Sequence, residues 1–107
     1  MEGGKKQGKG SGEPFFRFRL FVAGDEPNSR KARAVLKRFC ENRLKGRYKI
    51  EIIDVLKDYQ AALKNNILAV PTLIVVEPEP AVTIIGSLND EHGLLAALGM
   101  EPPEEQP

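Results

Sequence analysis

The sequence is poor in the side chains that staple, ligate or span. A single cysteine, Cys40, stands among the 107 residues, so no internal disulfide can form. The one histidine, His92, has no second imidazole to share a metal with, and a Cys/His zinc site is not expected. No apolar run approaches the roughly 20 residues that cross a bilayer. The N-terminus has lysine and glycine but no apolar signal core, so the expected compartment is the cytosol. Tryptophan is absent. Excess charge is missing too, the net value being +1, but the balance hides a strong asymmetry. Arg30, Lys31, Arg33, Lys37, Arg38, Arg43, Lys45, Arg47 and Lys49 are nine cations with Glu41 as the one acid among them.

What is present reads as one domain between two tails. Met1 to Pro14 holds five of the ten glycines and almost no apolar side chain, so it is expected to be a disordered, weakly basic tail. Glu101 to Pro107, with three prolines and three glutamates, is expected to be an acidic, unstructured end. The folded unit is residues 15–100. Phe15 to Val22 alternates, with Phe16, Phe18, Leu20 and Val22 on one face, and predicts a strand. After the break at residues 23–27, Asn28 or Ser29 is a suitable N-cap. Ala32, Val35, Leu36, Phe39, Cys40 and Leu44 follow at helical spacing, with Gly46 as the stop.

Tyr48 to Val55 alternates again, and a helix between two strands predicts a right-handed βαβ crossover. Lys57 to Asn66 predicts a short, weakly amphipathic helix with Tyr59, Ala62 and Leu63 on one side and polar residues on the other. The stretch from Ile67 to Val76 reads as a loop, a proline and a strand apolar on both faces. A proline at a strand entrance loses no ladder bond, and Val70-Pro71 is read as a cis peptide. Ala81 to Ile85 predicts an antiparallel return ended by Gly86, and Asn89 or Asp90 caps a last helix with Leu94, Leu95 and Leu98 inward. The order β-α-β-α-β-β-α is the thioredoxin-like arrangement, an α/β fold with a mixed four-stranded sheet.

In such a fold, reactive thiols sit between the first strand and helix, where the helix N-terminus lowers their pKa. Residues 23–29 here contain no cysteine, and Asp25 with Glu26 would raise a nearby thiol pKa. Ser29 could orient a thiolate, but a cap explains it more simply. Cys40 falls at a core spacing, and His92 has no partner acid or serine placed by the sequence. A redox or glutathione-dependent enzyme is therefore the weaker alternative. The basic run from Arg30 to Lys49 raises nucleic-acid binding as another, but no stacking aromatics accompany it. A solvated face, or one that docks on an acidic protein, is the simpler reading.

Four spaced motifs carry a resemblance. They are Phe21-Val22-Ala23-Gly24 with Pro27-Asn28-Ser29, Ile53-Asp54-Val55-Leu56-Lys57, Ile67 to Leu73, and Ile84-Ile85-Gly86 with Leu88. In this order they resemble the KaiB family of circadian clock proteins over about Phe16 to Leu98. The resemblance implies a non-catalytic protein without a cofactor that binds a hexameric ATPase, KaiC, and through it further clock components. Partner contacts are implied on the sheet edge at Tyr48, Lys49, Ile50, Glu51 and Ile52 and on the helix from Lys57 to Asn66, at Lys57, Lys64 and Asn66 in particular. Two folds are implied as well: a thioredoxin-like monomer that binds, and a tetrameric ground state ordered β-α-β-β-α-α-β. Pro71, Val82, Thr83, Ile84, Ile85, Gly86 and Ser87 lie where the choice between them is made. Asp25 and Glu26 stand where the family usually has Asn-Thr, and Lys49 and Glu51 where Ala and Lys are common. Ala81-Val82-Thr83 lacks a usual arginine pair, and Ser87 replaces a usual aspartate. The β-branched run from Val82 to Ile85 favours strand and so the thioredoxin-like form.

Overall fold

The fold, a computed structural model, describes residues 14–86, 88 and 90–100. The expectations for residues 1–13, Ser87, Asn89 and 101–107 lie outside the described residues. The elements follow the predicted order: β1 Phe16–Val22, α1 Pro27–Arg43, β2 Tyr48–Asp54, α2 Tyr59–Lys64, β3 Thr72–Glu77, β4 Val82–Ile85 and α3 His92–Ala97. Their sheet has the order β2-β1-β3-β4. β1 and β2 run parallel, which requires the α1 crossover, while β3 is antiparallel to β1 and β4 to β3.

Side-chain alternation assigns the two sheet faces. Phe18 and Leu20 of β1 lie level with Val75 and Leu73 of β3, and all four are buried. Val82 and Ile84 extend this face onto β4. The same face receives Ala32, Val35, Leu36, Phe39 and Cys40 of α1 and Leu94 and Leu95 of α3. One cluster therefore unites both halves of the chain. Arg43 at the end of α1 donates to both carboxylate oxygens of Glu91, at 3.2 and 2.9 Å, and ties α1 to the approach of α3. The opposite face carries Arg17, Arg19 and the buried Phe21 of β1, with Lys49, Glu51 and Ile53 of β2 alongside.

Several boundaries differ from the sequence reading, each for a local reason. Helix α1 begins at Pro27, whose fixed φ and missing N–H suit the first helical position. The cap is therefore Glu26, not Asn28 or Ser29; its carboxylate accepts from the amides of Asn28 at 3.1 Å and Ser29 at 2.9 Å. Ser29 is instead buried, its hydroxyl accepting from the Ala23 amide at 3.0 Å. The other end of α1 falls at Arg43, ahead of the expected stop at Gly46. Helix α2 is shorter than expected because Asp58 caps it, accepting from the Ala61 amide at 3.1 Å, and Asn66 takes a left-handed φ of 56°. Helix α3 starts at His92; Asp90 accepts from its amide at 3.0 Å, while Glu91 holds the cap position without a side-chain bond to the backbone.

The Val70-Pro71 peptide is cis, as are Glu77-Pro78 and Glu79-Pro80. Pro71 is buried at the head of β3, and its carbonyl accepts from the Gly86 amide at 2.9 Å, closing β4 against it. Gly86 has a φ of +102°, where a side chain would strain the backbone.

Candidate partner-binding surface

Among the described residues β2 is an edge strand, bonded to β1 on one side only. Its outer row of backbone groups is therefore open to another strand. Lys49, Glu51 and Ile52 are exposed, and Tyr48 and Ile50 are half-buried against the core. An open cleft of about 280 Å³ lies beside this edge, lined by Arg17, Phe18, Lys49, Ile50 and Glu51. The strand thus offers a polar face and an apolar face to whatever lies along it.

The turn from β2 to α2 is built by Asp54, whose Oδ1 accepts from the amides of Gly24 and Leu56, each at 3.0 Å. These two bonds hold the Asp54 carboxyl below its usual range. They also press Leu56 over Gly24. A Cβ built there would meet Leu56 Cδ1 at 3.3 Å, and the φ of Gly24 is +53°. From this turn α2 runs outward. Tyr59, Ala62 and Leu63 were expected to share an apolar side of α2, and no residue of α2 is buried. Tyr59 is 63% exposed and Leu63 69%, while the flanking Leu56 and Leu68 reach 72% and 96%. The physical reason is length: with less than two turns of helix, the half-buried Ala61 and Ala62 are all that α2 turns inward.

Arg19 joins the strand and the helix. Its Nε donates to Glu51 at 3.2 Å and its Nη1 to Asn65 Oδ1 at 3.3 Å, while the guanidinium lies 5.7 Å from the centre of the Phe21 ring. The middle of β2 and the end of α2 consequently form one surface. Of the positions expected to touch a partner, Lys57, Lys64 and Asn66 are exposed here beside the β2 residues. Tyr59 and Leu63 belong to the helix expected as a contact surface, whereas Arg19, Leu56 and Leu68 were missed as surface residues. Arg19 could have been found, because alternation puts it level with Glu51; the exposed leucines could not, since their pattern reads as core.

The loop between β1 and α1, where a thiol would react, is filled by the Glu26 cap and the Ser29–Ala23 bond. Cys40 lies on the core side of α1, and burial, helped by Glu41, pushes its thiol up to about 12. Among the described residues no group of three His, Cys, Asp or Glu side chains could hold a metal ion.

A mixed four-stranded sheet with a buried cis-proline heading an inner strand defines the thioredoxin-like class. The structure is similar to chloroplastic thioredoxin z, with a TM-score of 0.68 and 19% identity, over 79% of this chain and 77% of that one. It is also similar to the N-terminal domain of SasA from Synechococcus elongatus, with a TM-score of 0.62 and 18% identity over 87% of each chain. The particular family comes from the sequence: residues 19–100 match the KaiB domain. The circadian clock oscillator protein KaiB of Prochlorococcus marinus subsp. pastoris is 45% identical over 82 residues, 77% of each chain. That of Rippkaea orientalis is 44% identical, over 77% of this chain and 79% of its own. The chain belongs to the KaiB family, and its thioredoxin-like fold and family resemblance are as expected. No helix among the described residues is long and apolar enough to cross a membrane.

Proposed function

We propose that this chain is a regulatory clock-type protein that works by docking, without catalysis, on a KaiC-type hexameric ATPase in the cytoplasm. The observation that carries this reading is the exposure of four large apolar side chains, Leu56, Tyr59, Leu63 and Leu68, in the stretch that directly follows the edge strand β2. Isolated exposed leucines are ordinary, but several together next to unpaired backbone mark an interaction surface. Lys57, Lys64 and Asn66 supply a polar rim around it, and Tyr48 to Ile52 the strand edge.

The domain that docks is residues 15–100, and the thioredoxin-like monomer is its binding form. A second arrangement of the C-terminal half requires only that two packings differ by a few kcal/mol. The β-branched Val82, Thr83, Ile84 and Ile85 weight the balance towards the arrangement with β4. Whether the circuit served is a daily clock or another signalling pathway is read from the partner ring.

Size-exclusion chromatography with a KaiC-type hexamer in its ATP-hydrolysing state tests the proposal. Co-elution is expected for the native chain, and its loss for Tyr59→Ala with Leu63→Ala. Both positions are exposed, so circular dichroism should be unchanged. Equal co-elution of the double variant would remove α2 from the interface, and no co-elution of the native chain with any such ring would end the reading.

A further inference from the structure

The cations of α1 divide into those the fold uses and those it does not. Arg33 pairs with Asp25 at 3.2 Å, and Arg43 is committed to Glu91. Among the described residues, Arg30, Lys31 and Lys37 have no ion pair or side-chain hydrogen bond, and Arg38 only lends its field to Glu91. These four are exposed, and they have a common centre. On a helix the surface neighbours of any residue lie three and four positions away in each direction. For the exposed Ala34 those neighbours are Arg30, Lys31, Lys37 and Arg38, a ring of four positive charges around one methyl group. The ring faces away from the core that α1 buries. It is also on the opposite side of the sheet from Asn65 and the end of α2, which Arg19 holds over the other face.

Four like charges packed this way repel one another, so helix stability does not account for them. We propose that the face centred on Ala34 is a second docking surface, and that its occupant is an acidic α-helix of a partner protein. Arg30 and Lys37, and likewise Lys31 and Arg38, are seven residues apart, about 10.5 Å along the axis, the spacing of carboxylates at i and i+7 on another helix. Ala34 makes the low point between the two rows, which allows helix axes to approach towards about 8 Å. A continuous polyanion fits less well. Glu41 stands on the same exposed face one turn beyond the ring, no aromatic side chain there can stack on a base, and the net charge of +1 provides no long-range attraction. A lipid surface fits less well too, because the exposed side of α1 has no large apolar residue to insert. A second copy of this face would meet its own charge.

The test is fluorescence anisotropy of a synthetic helical peptide with glutamates at i, i+3, i+4 and i+7, run beside a scrambled peptide of equal composition. A short DNA duplex and vesicles of phosphatidylglycerol with phosphatidylcholine complete the set. Saturable binding that prefers the patterned peptide and weakens with salt is expected. Lys37→Glu with Arg38→Glu should weaken it by about tenfold or more. Ala34→Leu keeps every charge and should still weaken it about threefold by filling the low point. Lys57→Glu with Lys64→Glu, on the α2 surface, should leave it unchanged, so this proposal and the ATPase reading fail separately. Equal binding of the scrambled peptide, tighter binding of DNA or vesicles, or indifference to Ala34→Leu would overturn it.

Discussion

Glu26 caps α1 in place of the expected Asn28 or Ser29, and its consequence is a pH dependence. Two backbone amides of α1 donate to its carboxylate, which holds its pKa below the ordinary 4.5. A depressed folded-state pKa means that its contribution is complete above the unfolded value and is lost as pH falls through the folded one. Glu26→Ala should therefore lower the thermal midpoint at pH 7, and the gap from the native chain should close on acidification below pH 4.5. A gap that persists unchanged there would mean that the side chain acts through packing. Cys40 makes a second residue-scale expectation. Burial pushes its thiol up to about 12, so alkylation in native buffer should be slow and should appear only as denaturant unfolds the chain. Rapid native labelling would revive a redox reading.

Elements differ in how firmly they are held. α1 buries six residues, three of them aromatic or branched aliphatic side chains reaching the sheet, and Phe39→Ala should cost about 3–5 kcal/mol in urea unfolding. α2 buries none, so the amides of its last turn should exchange hydrogen well before those of α1, measured by mass spectrometry in native buffer. Equal protection of the two helices would contradict the exposure of Tyr59 and Leu63. The same contrast explains what could be read without coordinates. β1, α1 and β3 were legible because each is long enough for periodicity to reveal a buried face, and Pro71 because a strand-entrance proline has a mechanism. α2 was legible as a weakly amphipathic helix, but not the exposure of its apolar side, since a sequence shows which residues are apolar and not whether anything covers them. The Glu26 cap was misread because residue type outweighed the more informative Pro27. Arg19 joining Glu51 to Asn65 needed the three-dimensional meeting of elements 46 residues apart.

At the scale of the whole molecule, β1 is the strand on which the two halves meet: it pairs with β2 on one side and with β3 on the other. The core is shared in the same way, with Leu73, Val75, Leu88, Leu94 and Leu95 supplied by the C-terminal half against Phe18, Leu20, Leu36 and Phe39. Any rearrangement of residues 71–100 must therefore find new cover for the β1 and α1 side chains. In the proposed second arrangement that cover would have to come from the rearranged segment or from between subunits. A tetrameric second arrangement, as proposed, would be separable from the thioredoxin-like one by mass as well as by secondary structure. NMR secondary shifts from Thr72 to Ala97, read together with the solution mass, should give strand over 72–77, strand over 82–85 and helix over 92–97 in a monomer. Val82, Thr83, Ile84 and Ile85 are the reason for expecting this form at rest, because each is β-branched and pairs with β3 across its length. Helical shifts over 72–77 with a strand near 92–97, in a tetramer, would mean that burial between subunits outweighs the β propensity of that run.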